Sequence, residues 1–279
     1  MKKNLTAWIV GGLITLSLTG VGFPQAVGHG AVAATSEISP VAMSTTSDLP
    51  ATNTIPFPDG YNTTTEGASS YNGLGNVTNS QYYPALDFYR MKSTASLTIL
   101  TNFTTYQQTT EVTCGPAAAL MVLYHFGNEA WDELAIAKIM KTDDKVGTST
   151  TGMVTFFKAI GWNVKSSLKA AKHDGKTFSS VKEFKDFTIQ QLANNTPVMV
   201  ENIDWAGHWR VIIGYDTMGT ETTADDVIIL ADSYDTGDHL QDGYVINSAE
   251  KFYYTWYDSD LLPKDQKKQQ WLIANPPIN

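Results

Sequence analysis

The sequence predicts an α+β domain, with helices gathered in its first half and an antiparallel sheet in its second. Two observations carry this. Residues 115–193 hold several Ala/Leu/Met/Phe-rich stretches of helical length, and from residue 197 onward the chain turns to short Val/Ile runs broken by Gly, Asp and Thr. Segregation of this kind, rather than strict alternation, marks α+β architecture.

The elements follow in order. Lys2 and Lys3, an apolar run over 7–23 and the small residues Ala31-Val-Ala-Ala34 predict a secretory signal peptide over 1–34, with a retained N-terminal anchor as the alternative. Residues 35–81 are rich in Ser, Thr, Asn and Gly, show no period, and read as a disordered spacer. Residues 82–279 then form one domain. A helix is expected over 115–126, opened by Pro116 and closed by Gly127, with others over 131–140, 152–160 and 179–193. Strands are expected over 197–203, 208–215 and 227–231.

Composition narrows the function. The net charge is −9, and −11 without the two signal lysines, so no basic surface invites nucleic acid. The histidines are scattered and no Cys or His pair has ligand spacing, so neither a metal nor any other cofactor is expected. After removal of the signal no stretch is apolar enough to span a membrane. The expected product is a secreted or envelope-associated monomer acting on a peptide or protein substrate outside the cell. An export signal with a single cysteine is informative, because Cys114 then has no intramolecular disulfide to make.

A thiol becomes nucleophilic near neutral pH at a helix N-terminus beside an imidazolium. Cys114 precedes the predicted helix 115–126. Of five histidines, His29 falls in the signal region, and His125 lies eleven residues along the same helix, about 16 Å away at 1.5 Å per residue. His173 and His239 sit in polar loops. His208 instead opens a strand, after Gly207 and between Trp205 and Trp209. If strands 208–215 and 227–231 form a hairpin centred near Thr220, His208 stands directly opposite Asp232, a carboxylate placed to orient the imidazole. Asp235 and Asp238 are the fallbacks, since a bulge would shift the register. Gln108, or its neighbour Gln107, could add a side-chain amide to an oxyanion hole.

The string Gln108-Thr-Thr-Glu-Val-Thr-Cys114-Gly-Pro-Ala-Ala118 resembles the nucleophile motif of the double-glycine, or bacteriocin-processing, peptidases, a papain-like cysteine peptidase family. Gly161-Trp162, Gly207-His208-Trp209, Ile229-Leu-Ala-Asp232 and Phe252-Tyr-Tyr-Thr-Trp256 resemble its later segments, in the same chain order. The resemblance implies a papain-like fold, with Cys114 as nucleophile, His208 as general base and acid, Asp232 as orienting carboxylate and Gln108 as oxyanion donor. It does not imply a double-glycine leader as substrate, because well-known members are fused to a transporter and this sequence shows none. An acyl-transferring transpeptidase on the same triad and a catalytically idle binding module are the competing functions.

Overall fold

The computed structural model describes residues 54–60, 66–71, 81–171, 175–235, 240–258 and 262–277. The predicted signal peptide therefore lies outside the described residues. Besides the one-turn helices α1 (Ala68–Tyr71) and α5 (Ser167–Ala170), four main helices stand close to their predicted places: α2 (Cys114–His125), α3 (Glu133–Met140), α4 (Thr150–Ala159) and α6 (Val181–Ala193). Three of them start on a side-chain cap, as Asp132 accepts from the Ala135 N–H, Ser149 from Gly152 and Ser180 from Glu183. Helix α2 has no such cap and needs another source of order. Every residue from Cys114 to Leu123 is buried, so packing on all sides holds it in place.

The strands are β1 (Leu97–Ile99), β2 (Asn163–Ser166), β3 (Val198–Asn202), β4 (His208–Asp216), β5 (Val227–Ala231), β6 (Tyr244–Ser248) and β7 (Gln270–Asn275). They form one antiparallel sheet in the order β2-β7-β3-β4-β5-β6, with β1 also paired to β4. All of β3 and the first eight residues of β4 are buried, and helices α2 and α6 both pack against β4. The architecture is α+β as predicted, but less segregated. Strands β1 and β2 fall in the helical half and α7 (Ala249–Tyr254) in the sheet half. Strands of three or four residues are too short to show an alternation in the sequence, and β2 is largely exposed at the sheet edge.

Two pieces of the predicted spacer are docked on the domain, which corrects the reading of 35–81 as structureless throughout. Thr54 bridges Thr105, the Ile55 N–H donates to the Thr105 carbonyl at 2.7 Å, and Ile55 is buried. The Phe57 ring meets Tyr106 edge-on at 5.5 Å. Further on, the Ala68 N–H donates to the Gln108 carbonyl, and Ala68 opens the one-turn helix α1 (Ala68–Tyr71). Isolated apolar residues in a polar stretch give no periodic signal, yet one buried isoleucine with a backbone bridge is enough to fix a short segment.

Candidate active site

Cys114 is the first residue of α2, where the leading N–H groups have no partner within the helix and point outward. The first turn lies tight against the loop before α4. A Cβ on Gly115 would fall 2.6 Å from the Thr148 Cβ, so only glycine admits this approach. The Thr148 carbonyl in turn accepts from the Trp209 indole N–H at 2.7 Å, tying that loop to β4.

His208, the first residue of β4, is buried and lies close enough to Cys114 for the sulfur to act on its charge. Its Nε2 meets Asp232 Oδ1 at 2.6 Å. The predicted register is corrected here. The ladder pairs Val211 with Ala231 and Ile212 with Leu230, then shifts by one residue before Gly214–Ile229. Continued past Ala231, it sets Asp232 opposite Arg210, and His208 lies one diagonal step away. The bulge and an off-centre turn move the pairing, as extra residues in one strand do. The net displacement at the site end is two residues, so His208 and Asp232 keep the same face of the sheet and the side chains still meet.

The electrostatics follow from these contacts. Burial by itself would lower the His208 pKa, but the Asp232 charge and hydrogen bond, helped by Cys114, outweigh it and lift the imidazole to about 9. Burial would raise Asp232, yet His208, then Arg210 and the Tyr234 N–H, hold it down at about 2. Asp232 Oδ1 accepts that N–H at 2.8 Å, and Arg210 Nη1 stands 3.7 Å from Oδ2.

Gln108 and Gln107 part company. Gln108 Oε1 accepts from the Ser233 hydroxyl at 2.8 Å, its own N–H donates to the Ser233 carbonyl, and its Nε2 donates to the Thr110 carbonyl at 2.8 Å. These bonds lock its amide between the residue after Asp232 and the turn that leads into Cys114. Gln107 instead donates to the Gln241 carbonyl at 3.3 Å and lines a separate depression with Ile55 and Tyr124. Asp235 is buried and accepts from the Gly243 N–H at 3.2 Å. The other fallback, Asp238, lies outside the described residues, as do His29, His173 and His239. His125, at the far end of α2, bonds Asn195.

Four contributors have no counterpart in the sequence reading. Arg210 donates to Asn202 at 2.7 Å and to Asp204 at 2.6 Å, bracing the loop before His208; its i+2 spacing from His208 along one strand was the available signal. Glu133 accepts from the Thr109 N–H and from the Thr109 and Tyr106 hydroxyls, fixing the loop that carries Gln108. Burial, only partly offset by these bonds, pushes its carboxyl pKa up. Glu201 and Asp258, both buried, line the cleft of about 190 Å³ that opens onto Cys114, along with Trp205 and Trp209. A glutamate inside Val-Met-Val-Glu-Asn was a visible anomaly; Asp258 carried no local signal. Among the described residues no cluster of three or more potential metal ligands occurs, and no helix is long and apolar enough to cross a membrane.

The sequence profile of the Peptidase_C39 like family matches residues 100–260. Similar solved structures include the peptidase domain of Streptococcus ComA, described as a bi-functional ABC transporter involved in quorum sensing, at 19% identity and a TM-score of 0.39, covering 62% of this chain and 97% of that one. A double glycine motif protease from an AMS/PCAT transporter, in complex with its leader peptide, matches at 16% identity and a TM-score of 0.36, covering 62% and 91%. The peptidase domain of Streptococcus mutans ComA matches at 14% identity and a TM-score of 0.32, covering 62% and 98%. No curated protein matches the chain.

Proposed function

This chain belongs to the Peptidase_C39 like family, and on that premise we propose that it hydrolyses peptide bonds through Cys114, His208 and Asp232. One observation carries the reading: His208, whose Nε2 is held by Asp232 Oδ1 at 2.6 Å, is buried beside the Cys114 side chain, which stands at a helix N-terminus.

The Cys114 thiolate adds to the substrate carbonyl carbon, and the negative oxygen so formed is held by the Cys114 N–H and by the Gln108 Nε2 hydrogen that is not given to the Thr110 carbonyl. His208, kept protonated by Asp232, passes its proton to the leaving amine as the C–N bond breaks, leaving a thioester on Cys114. Water then adds to the thioester as His208 takes its proton. The acid departs and the thiolate is restored. The Lys2/Lys3, apolar and Ala-Val-Ala-Ala pattern of the first 34 residues supports placing this activity outside the cell.

The test is the pH dependence of Cys114 alkylation by iodoacetamide in wild type and His208→Ala, followed by a peptide-hydrolysis screen. Fast alkylation of the folded protein at neutral pH, lost in the variant, is the expected result. Alkylation like that of an ordinary thiol, or only on unfolding, would sink the proposal.

A further inference from the structure

Glu201 and Asp258 stand in the wall of the Cys114 cleft, and the mechanism above gives them no task. Glu201 lies on β3 opposite Trp209 and is 2% exposed, while Asp258 follows α7 and is 7% exposed. Their carboxyl groups lie close together, both against Gly207. Burial first, and the Asp258 charge second, push the Glu201 carboxyl well above the usual range.

Three features make this more than a buried acidic pair. Among the described residues, Glu201 Oε2 is shut off from solvent with no hydrogen-bond partner. An acceptor in that state is costly unless something entering the cleft donates to it. Next, Gly207 leaves the pair open: a Cβ there would come within 2.6 Å of Asp258 Oδ1 and 3.0 Å of Glu201 Oε1, at a φ of +132° that suits glycine. Finally, the rim is negative, with Glu111 and Asp144 against Lys145 alone, and Trp205, 60% exposed, offers an indole to a cation.

We propose that Glu201 and Asp258 form a substrate subsite for a cationic group beside the scissile bond, a lysine or arginine side chain or a free ammonium. The inference rests on the hydrolase reading above and names its substrate class. An ammonium or guanidinium brings N–H donors to the orphaned acceptor together with the opposite charge. A norleucine side chain would bury similar methylenes and leave Oε2 unsatisfied, which is the situation in which polar sites discriminate well.

The test uses quenched-fluorescent peptides carrying lysine, arginine, norleucine or glutamate in turn at each position flanking the cut. Wild type should prefer lysine and arginine over norleucine by at least roughly tenfold in kcat/KM at one position, mainly through KM. Glu201→Gln and Asp258→Asn should each bring the lysine-to-norleucine ratio toward one. The wild-type comparison stands even if a variant misfolds. Cleavage without a lysine preference, or with glutamate preferred, overturns the subsite and leaves the hydrolase reading intact. If no peptide is cut and Cys114 alkylates like an ordinary thiol, the hydrolase reading fails and the subsite falls with it.

Discussion

His208 and Asp232 meet on the diagonal of the β4–β5 ladder, at 2.6 Å, while Arg210 takes the position directly across from Asp232. The imidazole thus leans along its strand toward a carboxylate that is also steadied from the opposite residue. The consequence is a pair whose charge is set by three side chains rather than two.

Asp232→Asn removes the charge that lifts His208 to about 9 from its ordinary 6.5. The alkaline limb of peptide hydrolysis, which in wild type reports loss of the His208 proton, should move toward neutrality, and kcat should fall by about 10² or more. A pH–rate profile of both proteins checks this. An unmoved limb would mean that His208 is not the titrating acid.

The same pair predicts a pH window for folding. Asp232, held at about 2 against 3.8, stabilises the fold above pH 3.8 and loses that contribution as pH falls through 2. His208 stabilises fully below 6.5 and loses its contribution as pH rises through about 9. Urea unfolding should therefore show the largest gap between wild type and Asp232→Asn from about pH 4 to 6.5, narrowing on both sides.

Gln108→Ala should lower kcat by about 10² to 10³ with little change in KM, as expected of a donor that acts on the transition state. Gln107→Ala, whose side chain turns to Gln241, should leave kcat within a few fold. Equal losses in both would place the oxyanion donor elsewhere.

Glu133 accepts from the Thr109 N–H and from the Thr109 and Tyr106 hydroxyls, so all these partners need a lone pair. In Glu133→Gln an amide NH₂ takes the place of the oxygen that accepts from the two hydroxyls, so both must turn to accept and the charge-assisted bonds are lost. A loss of about 1 to 3 kcal/mol in urea unfolding is expected, with reduced kcat because the Gln108 loop loses its anchor. Differential scanning calorimetry alongside steady-state kinetics would show both.

Ile55→Ala should cost about 2 kcal/mol or more, despite lying in a stretch that reads as linker, because its side chain is buried against the domain. A neutral result would show that this segment is not held in solution.

The legible part of the fold was the part with long periodic runs. Helices α2, α4 and α6 stand out by length and strands β3–β5 by dense Val/Ile content, whereas β6 and β7, of similar length to β3 and β5, mix polar residues into the run and gave no strand signal. Cys114 with Gly115-Pro116 marked a helix start. The short strands β1 and β2 had no such signal. Proximity of His208 and Asp232 was inferable because facing depends on parity, which a two-residue error preserves. Asp258 was not, since its place in the cleft depends on partners outside its own element, which local sequence does not encode.

The bulge between Ile212 and Gly214 has a practical consequence. On its far side the strands are pinned by three further pairs, Gly214–Ile229 to Asp216–Val227, so the alignment of His208 and Asp232 is set by the ladder and not by the length of the connection beyond it. Met218 to Thr222 in that connection are exposed. A reporter peptide or affinity tag inserted there should be carried without disturbing the thiol's partners, which makes this turn the natural handle for immobilising the protein.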